Sequence, residues 1–234
     1  MEVSIIIPVY NEEKILEKNV RKLSKFLKDE KIKNEIIICD NGSTDKTSEI
    51  GKFLEKRMKN VRYLRIDKKA PGLAFKEGIL KAKSKKIISL DADLTINYKS
   101  FIKRALRLLE EYEMVIGSKI SGRQKRSFFR KFISFVFILL CRILLGLKFT
   151  DYSIGAKAYK KEFLLKFIDN IDEWTFYPVK LAYFSKKCIE IPVACNDKRK
   201  SRFNIFYEIF YRFKNLIIFT LKAKYESLAG KSFI

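Results

Sequence analysis

Five short apolar runs divide the first half of the chain, and the stretch after each of the first four has helical rather than strand periodicity. The runs are VSIIIPVY (3–10), EIIICD (35–40), VRYLRI (61–66), KIISL (86–90) and EMVIGSK (113–119). After the first run, Leu16, Val20, Leu23 and Leu27 recur at intervals of three and four, which puts them on one helical face. Further helices are expected near 45–58, 72–83 and 97–111. Strands apolar along their whole length are buried on both faces, and strand alternating with helix on this scale builds a mostly parallel α/β sheet covered on both sides. Such sheets bind ligands beyond the carboxyl ends of their strands.

Three of those ends are polar: Tyr10-Asn11-Glu12, Asp40-Asn41-Gly42-Ser43 and Asp91-Ala92-Asp93. The last is the most telling, because buried strands gain no stability from ending in paired acids. Residues two apart at a strand end point to one side, where like charges repel unless a cation or a shared proton neutralises them. A solvated loop capping the helix at 97–111 would account for the acids alone. Convergence with two other polar strand ends favours a divalent-metal site that holds a substrate phosphate.

Composition narrows the chemistry. Fifty Lys and Arg against 27 Asp and Glu give a formal charge of +23, so polyanions are the expected partners: nucleotide phosphates, nucleic acid or an anionic membrane. There is no histidine, which excludes a Ser-His-Asp triad, a Cys-His pair and a His-ligated zinc site. The four cysteines form no CxxC pair and read as reduced thiols; with no signal peptide at the N-terminus, a cytoplasmic location is expected.

Beyond residue 120 the texture changes. Phe132–Cys141 is a ten-residue apolar run, too short to span a bilayer. In the tail, Asn204, Glu208, Arg212 and Asn215 form a narrow polar stripe among Phe, Tyr, Ile and Leu, and basic residues precede both segments. Wide aromatic faces with basic borders read as helices lying in a membrane interface; an oligomer contact is the other reading of the same surface.

The strand-end motifs SIIIPVYNEE, DNGSTD, GLAFKEG and DAD resemble the inverting nucleotide-sugar glycosyltransferases of family 2, which have the GT-A fold. RKFISF (130–135), DYSIGAKAYKKEFL (151–164), IEIPV (189–193) and the basic turn ending at Ser201-Arg202 narrow the likeness to dolichyl-phosphate and polyprenyl-phosphate sugar synthases. The resemblance implies a GT-A domain over 1–202, with acceptor or interface helices inserted at 120–150 and an amphipathic membrane-interface helix over 203–234. It implies that Pro8, Tyr10, Glu12 and Asp40 line the nucleoside pocket. Asp91 and Asp93 would hold Mg²⁺ or Mn²⁺ on the donor diphosphate, with Asp93 the more direct ligand. Lys119, Arg130 and Ser134 would bind the acceptor phosphate, and Arg202 would close over the donor diphosphate.

The expected activity is therefore transfer of a hexose from a nucleotide-diphosphate sugar to a polyprenyl or dolichyl phosphate at the cytoplasmic membrane face. A phosphate acceptor is already ionised near neutrality and needs no general base. A hydroxyl acceptor would need one, and Asp151 is then the best candidate; otherwise its part is structural or positioning. Asn41 departs from the family by replacing an acid, and Tyr177 and Val179 stand where glucosyl-type relatives tend to carry acids, which leaves the sugar open. A dinucleotide-binding oxidoreductase is disfavoured because no GxGxxG follows the first strand. A nucleic-acid-binding domain would not explain three polar strand ends in one place.

Overall fold

The computed structural model describes residues 1–119, 128–196 and 205–228. Seven strands form one sheet in the order β3-β2-β1-β4-β6-β5-β7. They are β1 (Val3–Val9), β2 (Asn34–Asn41), β3 (Val61–Ile66), β4 (Lys86–Ser89), β5 (Met114–Ser118), β6 (Lys157–Lys160) and β7 (Cys188–Pro192). Strands β3, β2, β1 and β4 run parallel, β6 is antiparallel to both β4 and β5, and β7 is parallel to β5. The sheet is thus mostly parallel, as the alternation of runs predicts.

Helices cover both faces. On one side α1 (Leu16–Asp29), α2 (Thr47–Arg57) and α4 (Tyr98–Leu108) enclose Val3, Ile5, Ile7, Ile36, Ile38 and Ile88. On the other, α3 (Pro71–Lys81), α5 (Phe128–Leu145), α6 (Lys161–Lys166), α7 (Tyr177–Phe184) and α8 (Ile205–Leu228) enclose Ile6, Ile37, Cys39 and Ile87. Successive residues of β1 and β2 therefore enter opposite layers, which is why both strands read as unbroken apolar runs. The four expected α1 residues are all buried.

The tail is not an appendage. Leu216, Phe219 and Ala223 of α8 are buried, and the Phe219 ring meets Phe176, Tyr183 and Phe184 edge-on at centroid distances of 6.1, 5.3 and 5.9 Å. The polar stripe turns toward the protein at Glu208, whose partners Trp174 and Thr175 lie outside the helix. Glu208 accepts from Trp174 Nε1 at 2.5 Å and Thr175 Oγ1 at 3.1 Å and pairs with Arg212 at 3.3 Å, while Asn215 donates to the Tyr211 carbonyl. Asn204 lies outside the described residues. Tyr207, Phe210, Ile217, Ile218, Leu221 and Tyr225 are left exposed. Glu208→Ala takes the acceptor from the Trp174 indole N–H and should cost about 1–3 kcal/mol, read as a lowered midpoint of thermal unfolding. An unchanged midpoint would show that α8 docks by its apolar residues alone.

Candidate active site

The carboxyl ends of β1, β2 and β4 lie side by side, because these strands are neighbours and parallel. Cross-bonds knit the first two ends together. The Asn11 N–H donates to Ser43 Oγ at 2.9 Å, the Glu12 N–H to Thr47 Oγ1 at 2.7 Å, and the Thr44 N–H to Asn11 Oδ1 at 2.8 Å. Asn11 adopts φ +55°, a left-handed conformation that an Asn tolerates. Asn41 is buried and its amide donates to the Val9 carbonyl at 2.7 Å. An acid there would set a carboxylate against that carbonyl, so the departure at 41 is explained by a strand-to-strand clamp. Asn41→Asp should destabilise the fold by about 1–3 kcal/mol, again measured by thermal unfolding.

Asp40 is fully buried. Its Oδ1 accepts from the Ser43 N–H at 2.8 Å, and its Oδ2 accepts from Tyr63 Oη at 2.7 Å and Arg65 Nη1 at 3.0 Å. The side chain of this network that reaches solvent is Arg65, one-third exposed and paired also with Asp67 at 3.0 Å. Sequence reasoning missed Arg65, since nothing in the alternating run VRYLRI marks it. Pro8 sits within β1, and Tyr10 just beyond it carries Lys69 Nζ over its ring at 4.3 Å. Glu12 is half-buried at the start of the loop into α1.

The paired acids come together by a turn, not by strand alternation. Strand β4 ends at Ser89, the Leu94 N–H bonds back to the Asp91 carbonyl at 3.2 Å, and Leu94 takes φ +49°. Asn19 of α1 ties the turn down by donating to the Ala92 carbonyl at 2.8 Å, and Asp93 Oδ1 accepts from the Thr95 N–H at 3.2 Å. Asp91 Oδ2 accepts from the Gly155 N–H at 3.2 Å. A Cβ on Gly155 would lie 2.2 Å from Asp91 Oδ1, so only glycine permits this approach. Asp91 is open to solvent, yet crowding by protein thins its hydration and raises its pKa. Repulsion from Asp93 adds to the rise, and Lys119 and Lys157 oppose it.

Asp91, disfavoured as an anion by this crowding and by its acidic neighbour, fits a divalent cation, whose charge would offset both effects. Among the described residues no group of three or more His, Cys, Asp or Glu gathers at one point. A cation held here would rest on these two carboxylates and complete its shell with phosphates and water, an all-oxygen donor set that Mg²⁺ and Mn²⁺ accept.

Asp151 is buried and holds the turn that leads into Gly155. Its Oδ1 accepts from the Ser153 N–H and Oγ and the Ile154 N–H at 2.9–3.2 Å, and its Oδ2 from the Lys119 N–H at 3.3 Å. Glu190 of β7 takes the N–H groups of Thr150 and Asp151 at 2.9 Å, and Ser118 and Thr150 hydroxyls meet at 2.9 Å. The chain between β5 and this turn thus leaves and returns at one spot near Asp91. Lys119 is buried there, and Ser134 lies half-buried on α5. Arg130 is on α5 but its side chain lies outside the described residues, as does all of Arg202.

The glycosyl transferase family 2 model matches residues 4–168, and the chain belongs to that family of glycosyltransferases. An undecaprenyl-phosphate 4-deoxy-4-formamido-L-arabinose transferase of Photorhabdus laumondii is 30% identical over 195 residues, covering 82% of this chain and 59% of that protein. A dolichyl-phosphate beta-glucosyltransferase of Dictyostelium discoideum is 30% identical over 210 residues, covering 82% of this chain and 64% of that protein. The chain thus spans less than two thirds of the length of these curated relatives. Among solved structures, glucosyl-3-phosphoglycerate synthase from Mycobacterium tuberculosis with uridine diphosphate superposes with a TM-score of 0.65 at 18% identity, over 94% of this chain and 79% of that one. A mannosyltransferase from Pyrobaculum calidifontis, in complex with GDP-Man and Mn²⁺, gives 0.60 at 18% identity, over 86% and 58%. These likenesses show the fold, which is GT-A. No described helix is long and apolar enough to cross a membrane.

Proposed function

We propose that this chain transfers a hexose from a nucleotide-diphosphate sugar to a polyprenyl or dolichyl phosphate, with inversion and with a divalent cation, at the cytoplasmic face of a membrane. The observation that carries this reading is the state of Asp151. Its carboxylate is buried under four hydrogen bonds, so it is poorly placed to take a proton from a hydroxyl acceptor. The chain has no histidine to do so instead. A phosphate acceptor removes the need. The names of the two curated relatives, both transferases for polyprenyl-type phosphates, support the same choice.

In this reading Asp91 and Asp93 hold Mg²⁺ or Mn²⁺ against the donor diphosphate. When bound, the cation supplies charge stabilisation for the departing diphosphate. Pro8, Tyr10, Glu12 and Asp40 line the nucleoside side, Asp40 through the Tyr63 and Arg65 network that covers it. Lys119, Arg130 and Ser134 receive the acceptor phosphate, and Arg202 closes on the donor. An acceptor oxygen bonds the anomeric carbon from the face opposite the leaving group. The bond to the diphosphate oxygen breaks, its electron pair departs with the nucleoside diphosphate, and no proton has to be removed. Asp151 positions the Lys119 end of β5. Residues 1–202 form the catalytic unit with 120–150 inserted, and 203–234 supply the helix that closes on it. The exposed residues of α5 and α8 lie on an anionic membrane surface.

The test is a matrix of radiolabelled UDP and GDP sugars against polyprenyl phosphates, free polyprenols and soluble sugars, with and without chelator. Label should enter the organic phase only with a phosphorylated lipid, and both chelator and Asp93→Asn should abolish transfer. Transfer to a hydroxyl acceptor that is lost in Asp151→Asn would replace this reading with the base-catalysed one. Full activity in chelator would remove the cation from it.

A further inference from the structure

We propose that Lys157, which lies outside the acid pair, is a positioning residue that holds Asp91 in place through the peptide joining Ile154 to Gly155. Strand β6 runs antiparallel to β4 with Lys157 opposite Ser89, two residues before Asp91. The Lys157 side chain is buried and its Nζ donates to the Ile154 carbonyl. The N–H of that same peptide, on Gly155, donates to Asp91 Oδ2 at 3.2 Å. One peptide plane therefore joins an ammonium at its oxygen to a carboxylate at its nitrogen. Hydrogen bonds in such a chain polarise one another, so the ammonium strengthens the grip on Asp91. The preceding peptide is held as well, since Asp151 Oδ1 accepts from the Ile154 N–H at 3.2 Å.

A cheaper strap would serve if Lys157 only closed the turn. Among the described residues no carboxylate lies within 4.0 Å of its ammonium, and burial pushes its pKa down to about 8, with Asp151 and Asp91 opposing at longer range. An apolar side chain of similar volume would relieve that desolvation. A buried charge kept at a cost to stability, one peptide from a cation-binding carboxylate, marks a functional role.

The inference rests on the proposed cation at Asp91 and Asp93, and its test separates the two. UDP and GDP are each titrated calorimetrically into the full chain and into Lys157→Met, once with Mn²⁺ and once with EDTA, alongside thermal unfolding. Lys157→Met should raise the unfolding midpoint by about 2–6 °C. It should leave nucleotide affinity in EDTA unchanged and reduce the Mn²⁺-dependent gain in affinity about tenfold, as loss of support behind a metal ligand does. Lys157→Gln, which keeps a donor at shorter reach, should fall between Lys157→Met and the unmodified chain. A gain in Lys157→Met equal to that of the unmodified chain overturns the proposal. So does a variant that fails to fold, or one whose affinity in EDTA falls together with its stability, since Lys157 is then a structural strap. Absence of any Mn²⁺ gain in the unmodified chain removes the cation reading first and this inference with it.

Discussion

Gly155→Ala is expected to lower the transfer rate about a hundredfold or more while the protein stays folded. The added Cβ would sit 2.2 and 2.5 Å from the two Asp91 carboxylate oxygens, closer than any non-bonded contact allows. Either the carboxylate moves by about an ångström or the 154–156 backbone does, and displacement on that scale is what costs rates of this size. The backbone is the stiffer of the two. Asp151 holds the Ser153 and Ile154 N–H groups, and the Gly117 N–H bonds the Ala156 carbonyl at 2.9 Å. Asp91 is therefore the group that yields, and it loses the Gly155 N–H as it turns. Gly146→Ala is the matched control. Gly146 has φ +69° and open space around its missing Cβ, so its variant should lose about 1 kcal/mol of stability and keep its rate. Initial rates with saturating donor, set beside circular dichroism of both variants, decide the matter. A Gly155→Ala enzyme at full rate would mean that Asp91 works from another position.

Much of this architecture was legible in the sequence because burial on two faces leaves a strong mark. Runs such as SIIIPV and EIIIC admit few alternatives to a central parallel strand, and the helices between them carry clear periodicity. Strands β6 and β7 left no such mark. KAYK has lysines at both ends, and CIEIP carries Glu190, whose carboxylate is spent on Thr150 and Asp151 far along the chain. The site divides in the same way. Asp91 and Asp93 stand out because acids after a buried strand need a reason, although the turn through Leu94, not strand alternation, joins them. Arg65 gave no signal, and Gly155 and Lys157, though inside the quoted run DYSIGAKAYKKEFL, had no role that the sequence could name. A glycine is informative only once its neighbour is known, and a lysine in a chain with 50 basic residues attracts no notice. The polar stripe of α8 could be seen, but not its direction. An amphipathic pattern does not say which face meets the protein, and here Trp174 and Thr175 supply partners for Glu208 that turn the stripe inward.

That inversion leads to the second large effect: Phe210→Glu with Leu221→Glu should release the protein from vesicles of phosphatidylcholine and phosphatidylglycerol, with partitioning reduced at least about a hundredfold. Phe210 and Leu221 are 68% and 64% exposed, on a helix whose opposite side is committed to the core through Leu216 and Phe219. On α5, Phe132, Phe135, Leu139 and Ile143 are exposed at spacings of three, four and four. The two helices touch through Phe137 and Phe213, with rings 5.6 Å apart. Inserting a Phe or Leu side chain into an apolar medium is worth about 1.5–3 kcal/mol, so two lost insertions account for a factor of a hundred or more. Exposed Lys214, Lys222 and Lys224 on α8 add an attraction to anionic lipid that salt weakens within a Debye length. The expected binding of the unmodified chain therefore has a salt-sensitive part and an apolar part, and the double substitution removes the apolar part while its two carboxylates weaken the other. Point substitutions are the sound form of this test, because deleting 203–234 would uncover Phe176 and Phe184, which pack on Phe219. Sedimentation of the same variant separates the alternatives. If vesicle binding is unchanged and a dimer of the unmodified chain dissociates, the exposed residues belong to a second copy of the protein and not to lipid. If neither changes, the acceptor must reach Asp91 and Asp93 by a route that does not involve α8.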